Sequence, residues 1–189
     1  MLFRSQRPVV RLRPNQPVRV LQGHPWIFSN EVEMSPETKA LEPGALVRIE
    51  RHNGGPVGVA MFNPHTLIAA RMLVRGHADI DAQGIAQRIG RALAVRERLF
   101  RAPYYRLVHA EGDGLPGLIV DRYGDVLAIQ ANTAGMDRLL PQLLPALEQY
   151  LQPGAIMRRN DSPARALEGL SQEVGWAKGS VDGAVRIEE

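Results

Sequence analysis

The sequence changes its periodicity once, near residue 79, and that change limits the fold more than any other feature. Before it, apolar residues alternate in short runs separated by tight-turn signals; after it, they recur at helical spacing. Residues 9–13, 45–50, 57–62 and 67–74 read as strands, and 26–28 as an extended apolar piece. Asn53-Gly54 lies between two alternating runs, and because both residues tolerate positive φ the pair predicts a hairpin. Residues 17–21 read as one helical turn ended by Gly23, and 34–44, carrying Pro36, Pro43 and Gly44, as a loop. Short strands with tight turns predict a small β-barrel over 1–76.

Beyond that point Asp79 and Asp81 stand where helix-starting acids belong, and Ile85, Ile89, Ala92, Leu93 and Leu99 form an apolar stripe. Arg88, Arg91, Arg96 and Arg98 fall mostly off it, and Pro103 ends the helix. Residues 105–110, 118–121 and 126–130 read as strands between Gly/Asp turns. A second helix is expected over 136–151 on the strength of Leu139, Leu140, Leu143, Leu144 and Leu147, with Pro141 and Pro145 arguing against it. Residues 155–159 read as a strand, the stretch beyond Asn160 as turn-rich, and 184–189 as a strand just beginning. The expected class is α+β: the barrel of 1–76, then a middle α/β domain over 77–180 with antiparallel strands and helices.

Charge follows the same division. Residues 1–78 carry a net +5 and residues 79–189 a net −2, within a formal +3 for all 189 residues. Lys39 and Lys178 are the lysines; the remaining basic residues are arginine, the better planar reader of phosphate, although genomic base composition also replaces Lys by Arg. An apolar fraction of 44% is that of a globular chain, and no apolar run reaches the roughly 18 residues of a membrane helix. With no cysteine, the chain has no disulfide, thiolate zinc site, iron–sulfur ligand or cysteine nucleophile of its own. No signal-peptide stretch opens the sequence, and a reducing, cytoplasmic location is expected, with no membrane partner.

Few motifs carry chemistry. Gly112-Asp113-Gly114-Leu115-Pro116-Gly117 has the letters of a dinucleotide loop, but a strand-like run follows where a helix must start, and Pro116 removes an N–H donor. It reads as a turn between strands. His109, Glu111, Asp113 and Asp121 read as turn-flanking residues, and His24, His52, His65, His77 and His109 lack metal-site spacing, so no metal is assigned. No serine lies in a nucleophile-elbow pattern. The remaining candidate is the basic segment: Arg11, Arg13, Arg19, His24, Trp26, Arg51 and Arg71 are the expected RNA-binding residues, with arginines for phosphates and aromatic faces for unpaired bases. Phe28 and Phe62 read as barrel core.

Gly23-His24-Pro25-Trp26-Ile27-Phe28, Asn63-Pro64 and the run 68–73 resemble the PUA domain that opens a family of bacterial RNA methyltransferases. The long run 105–121, then Asn160-Asp161, Arg165 and Leu167-Glu168-Gly169-Leu170, resemble the middle domain of the same family, the S-adenosylmethionine-dependent large-subunit rRNA cytosine-5 methyltransferases. The resemblance implies that the chain is the amino-terminal portion of such an enzyme. It also implies that residues 181–189 lead towards a Rossmann-like catalytic domain not included here, and that ribosomal RNA is the partner. S-adenosylmethionine is then the cofactor of the full-length family, with no cofactor and no catalytic residue within this chain. Methylation at cytosine C5 proceeds through a cysteine thiolate added at C6, and this chain has no cysteine. The alternative expectation is a protein-interaction scaffold, with the leucine-rich helix at 136–151 packing on a second copy as a homodimer.

Overall fold

The computed structural model describes residues 7–14, 19–185 and 187. They form two compact units, Met1–Ile80 and Asp81–Glu189.

In the first unit five strands form one sheet in the order β1-β3-β4-β5-β2. The strands are β1 (Val9–Arg11), β2 (Trp26–Ile27), β3 (Ala45–Glu50), β4 (Pro56–Phe62) and β5 (Ala70–Arg75). β1 and β3 run parallel; the other neighbours are antiparallel. The two sheet ends meet: Leu12 bridges Val32, the Arg13 N–H donates to the Glu31 carbonyl at 2.8 Å, and that of Glu33 to the Arg11 carbonyl at 2.9 Å. This closure leaves few open edges and encloses a core of Val10, Leu12, Ile27, Val47, Ile49, Phe62 and their neighbours.

Asn53-Gly54 lies in the β3–β4 connection as expected, where the Arg51 N–H donates to the Gly55 carbonyl at 2.7 Å. Simple alternation fails along β4. A register shift against β3 between Ile49 and Glu50 leaves Val57 as an extra residue on β4, so Val57, Ala60 and Phe62 all join one core despite their odd spacing. Gly58 has φ +151°, and a Cβ there would sit 2.0 Å from the Val74 carbonyl oxygen, so only glycine permits this close strand approach. Three local expectations shift. The turn expected at 17–21 is a 3-10 turn at Arg19–Gln22; residues 17 and 18 lie outside the described residues. Within the expected loop, Pro36–Lys39 forms a helical turn, α1, because Ser35 caps it by accepting the Thr38 N–H at 3.2 Å and Pro36 presets φ. The expected strand at 67–74 begins only at Ala70, since the Asn63 side chain folds 63–69 into a turn by accepting the His65 N–H at 3.1 Å.

The second unit is a five-stranded sheet in the order β10-β9-β8-β7-β6. Its strands are β6 (Tyr104–His109), β7 (Leu118–Tyr123), β8 (Val126–Ala131), β9 (Ala155–Asn160) and β10 (Glu173–Lys178). Helices α2 (Ala82–Leu99) and α3 (Ala134–Leu151) pack on each other and on the sheet. β8 and β9 run parallel because α3 carries the chain back between them; the other pairs are antiparallel. Asp81 caps α2 by accepting the Gly84 N–H at 2.8 Å, and Ile85, Ile89, Ala92 and Leu93 are its buried stripe, whereas Leu99, also expected on it, is exposed at the helix end. Thr133 caps α3, which runs through both prolines. Pro141 and Pro145 are four residues apart on an exposed face, so the carbonyls they leave without an N–H donor can turn to water.

The stretch beyond Asn160, expected to be only turns, holds α4 (Ala164–Leu167) and the edge strand β10. β10 escapes a period-2 reading because Glu173, Val174 and Trp176 are all exposed, so the strand has no buried face to mark it. The strand expected at 184–189 includes Arg186, Glu188 and Glu189, which lie outside the described residues.

Candidate nucleic-acid interface

The seven expected RNA-binding residues fall into separate groups. β2 pairs with β5 so that Trp26 lies directly opposite Arg71. The Trp26 N–H donates to His24 Nδ1 at 3.1 Å, and the two rings meet edge-on at 5.6 Å. Trp26 and Arg71 are thus cross-strand neighbours, with His24 just before β2 against the indole, and all three are part-exposed. Arg75 fixes the segment before them: Nη1 donates to the Val20 carbonyl at 2.6 Å and Nη2 to that of His24 at 2.9 Å. Arg19 opens the same 3-10 turn, its carbonyl accepts the His24 N–H at 3.2 Å, and its side chain is exposed. Arg75, a further arginine of the same basic segment, is not one of the seven; the bulge that leaves Leu73 unpaired between Arg71 and Arg75 breaks simple alternation, so strand spacing does not place the two on one face.

The other three residues lie elsewhere. Trp26 and Arg71 share a row with Met61 and Leu46, whereas Arg51 lies beyond the opposite end of β3, about 16 Å away at strand spacing. Arg11 is at that same end, 3.8 Å from the Glu50 carboxylate. Arg13 donates from Nε to the Val32 carbonyl at 2.9 Å and so helps to close the barrel.

In the second unit the charged motif residues hold the fold. Gly112–Gly117 forms a 3-10 turn and a loop joining β6 to β7, with no helix after it. Arg96 grips Asp113 with two hydrogen bonds, 2.8 and 2.7 Å, and Asp113 also accepts the His109 N–H at 2.6 Å. Arg106 pairs with Asp121 at 2.8 Å, and this hydrogen bond raises the arginine above its ordinary pKa. Gly117 has φ +81°, and a Cβ there would come within 2.3 Å of Thr133. The buried Arg165 binds the Ala131 carbonyl, the Ser171 carbonyl at 2.8 Å and Asp137 at 2.8 Å. Asn160 accepts the Ala131 N–H at 2.8 Å, and Glu168 that of Ala134 at 3.3 Å. Leu139, Leu143 and Leu147 of α3 are buried within their own unit. Among the described residues no group of three His, Cys, Asp or Glu could hold a metal ion, and no helix is long and apolar enough to cross a membrane.

A donor nucleotide such as S-adenosylmethionine does not fit the glycine motif. The loop leads into a strand, Thr133 fills the space beside Gly117, and Asp113 is held by Arg96.

Comparison with known proteins agrees with this geometry. A PUA-like domain matches residues 10–75. Ribosomal RNA large subunit methyltransferase I of Shewanella denitrificans is 34% identical over 176 residues, 91% of this chain and 44% of its own length. The protein of that name from Shewanella amazonensis is 35% identical over 176 residues, and that from Pseudoalteromonas atlantica 32% over 184, covering 95% of this chain and 46% of its own. The chain thus spans less than half the length of these relatives. A Streptococcus mutans protein assigned as a SAM-dependent methyltransferase shares the fold with a TM-score of 0.74 at 11% identity, over 93% of this chain and 44% of its own. A second protein, assigned as a methyltransferase and crystallised with SAH, has a TM-score of 0.66 at 12% identity, over 80% and 39%. Over 91% of its length, then, this chain is related in sequence to the large-subunit rRNA methyltransferases, and its first unit carries a PUA-like domain.

Proposed function

We propose that this chain binds and positions ribosomal RNA for S-adenosylmethionine-dependent methylation, with cytosine C5 as the favoured atom. In this reading residues 1–76 are the RNA-holding barrel and 77–180 a middle domain, with 181–189 leading towards the methyl-transferring part. That transfer belongs to the portion of the relatives that this chain does not span. A thiolate route to cytosine C5 has no cysteine to use here.

The observation that carries the reading is the pairing of Trp26 with Arg71 beside His24, inside a PUA-like domain whose surrounding segment is basic. An indole face offers stacking to an unpaired base, and the arginines offer charge to its phosphates. Of the leucines that suggested a scaffold, Leu139, Leu143 and Leu147 are buried in their own unit and Leu140 and Leu144 are part-exposed, which leaves that alternative a smaller apolar face than the sequence suggests.

Binding of a helix-plus-loop fragment of large-subunit rRNA, measured by fluorescence anisotropy across a salt series, tests the reading. Affinity should fall steeply with salt, and Arg19→Gln with Arg51→Gln should flatten the slope by about 0.7 each. Undetectable or salt-independent binding overturns it. Calorimetry should find no binding of S-adenosylmethionine to this chain; micromolar binding would overturn the division of labour.

A further inference from the structure

Helix α2 carries a second basic surface that the fold does not use. Its inner arginines are engaged: Arg88 donates to the Gly114 carbonyl, and Arg96 holds Asp113. The outer ones are not. Arg98 and Arg101 are exposed and have no hydrogen-bond or ion-pair partner among the described residues, and Arg91 reaches only the Gln87 carbonyl of its own helix, at 3.4 Å. Arg91 and Arg98 are seven residues apart, so they share one face of the helix about 10 Å apart along its axis, with Val95 between them. Glu97 is the helix's one acid; it lies off that stripe and forms no ion pair with them among the described residues. Beside the charges stand exposed apolar groups: Leu99 is 70% and Phe100 48% exposed. Phe100 is held in place by stacking on Tyr105 at 5.2 Å.

We infer that Arg91, Arg98 and Arg101, with Phe100 beside them, form a second RNA-binding surface that takes the phosphodiester backbone of a single-stranded segment and one unpaired base. Charge complementarity selects the partner. The patch is uncompensated positive charge in a unit of net negative charge, so it is not the by-product of a generally basic composition. Residues at a helix carboxyl end that served only its dipole would not need an exposed aromatic ring fixed next to them. A stacking surface beside two or three phosphate-reading arginines is the combination that single-stranded nucleic acid requires. An anionic membrane or an acidic protein would use the charges without the ring.

This inference rests on RNA binding by the chain, and its test separates the two. Arg91→Gln/Arg98→Gln/Arg101→Gln should weaken binding of the same helix-plus-loop rRNA fragment about tenfold or more at low salt and reduce the salt slope by about two. The corresponding triple Lys variant should retain most of the affinity, and Phe100→Leu should weaken binding to a single-stranded oligonucleotide more than to a duplex. Melting temperatures should be unchanged, because none of the three arginines has a tertiary partner. If the unit-1 variants lose RNA while the Gln triple binds normally, the second surface is refuted and the first reading stands. If wild type binds no RNA, both fall. If the triple instead loses binding to anionic phospholipid vesicles or to a polyglutamate peptide, with RNA unaffected, the partner assigned here is wrong.

Discussion

The two units treat arginine differently, and the difference locates the surfaces that can attract a polyanion. In the first unit Arg13 and Arg75 donate to backbone carbonyls, which hold the guanidinium but leave its full charge, while Arg7 pairs with Asp79 and Arg11 lies 3.8 Å from Glu50. In the second unit arginines meet carboxylates: Arg96 with Asp113, Arg106 with Asp121, Arg158 with Glu173, Arg159 with Asp161, Arg165 with Asp137. Each such pair is nearly neutral at a distance. A count of basic residues is therefore a poor guide to phosphate affinity; what matters is what each guanidinium already holds. By that criterion the arginines that keep an exposed charge lie on the barrel and, in the second unit, at the outer face and end of α2.

The contrast can be broken most forcefully at Arg165. Arg165→Ala leaves two carbonyls and Asp137 without their donor in a buried setting, and should cost about 3–5 kcal/mol in chemical denaturation. A loss below about 1 kcal/mol would show that the buried pair is not holding the second unit. Gly117→Ala comes next, because positive φ and the overlap with Thr133 act together; about 2–3 kcal/mol is expected from the same measurement. On the barrel side, Trp26→Leu keeps an apolar side chain on β2 but removes the stacking face. It should lower RNA affinity by about 1–3 kcal/mol while leaving the melting temperature close to wild type. If stability falls and affinity does not, Trp26 is core and not interface.

The smallest effect is a pH dependence. Burial pushes the Asp79 carboxyl up, but hydrogen bonds from Arg7 and the Ile80 N–H, with the charges of Arg7 and Arg48, bring it below its ordinary 3.8. A depressed folded-state pKa contributes stability above the unfolded value and loses it as pH falls through the folded one. Wild type should therefore lose slightly more stability than Asp79→Asn below about pH 4. Identical acid curves would show that the Arg7 pair at 2.7 Å contributes nothing, which its half-exposed carboxylate makes the mildest of these outcomes.

Much of this was readable from local sequence. The Asn53-Gly54 hairpin, the α2 stripe and the strand after the glycine motif follow from turn chemistry and apolar period. β10 and the parity change in β4 did not, because an edge strand exposed on both faces has no alternation and a bulge interrupts it. The pairing of Trp26 with Arg71 depends on a contact across 45 residues, which no local pattern encodes. Nor did composition separate Arg96, bound to Asp113, from Arg98 two residues later.

The sequence by itself determined the division near residue 79, the class of each half, the absence of thiol chemistry and the failure of the glycine motif as a nucleotide loop. These depend on residue type and near-neighbour spacing, which act before any fold forms. The tertiary structure alone decided which arginines are neutralised, which aromatic stands beside which guanidinium, and that Arg165, Asn160 and Glu168 brace the second unit. Those outcomes depend on distances between residues far apart in the chain, and a Coulomb or hydrogen-bond energy has no value until folding sets the distance.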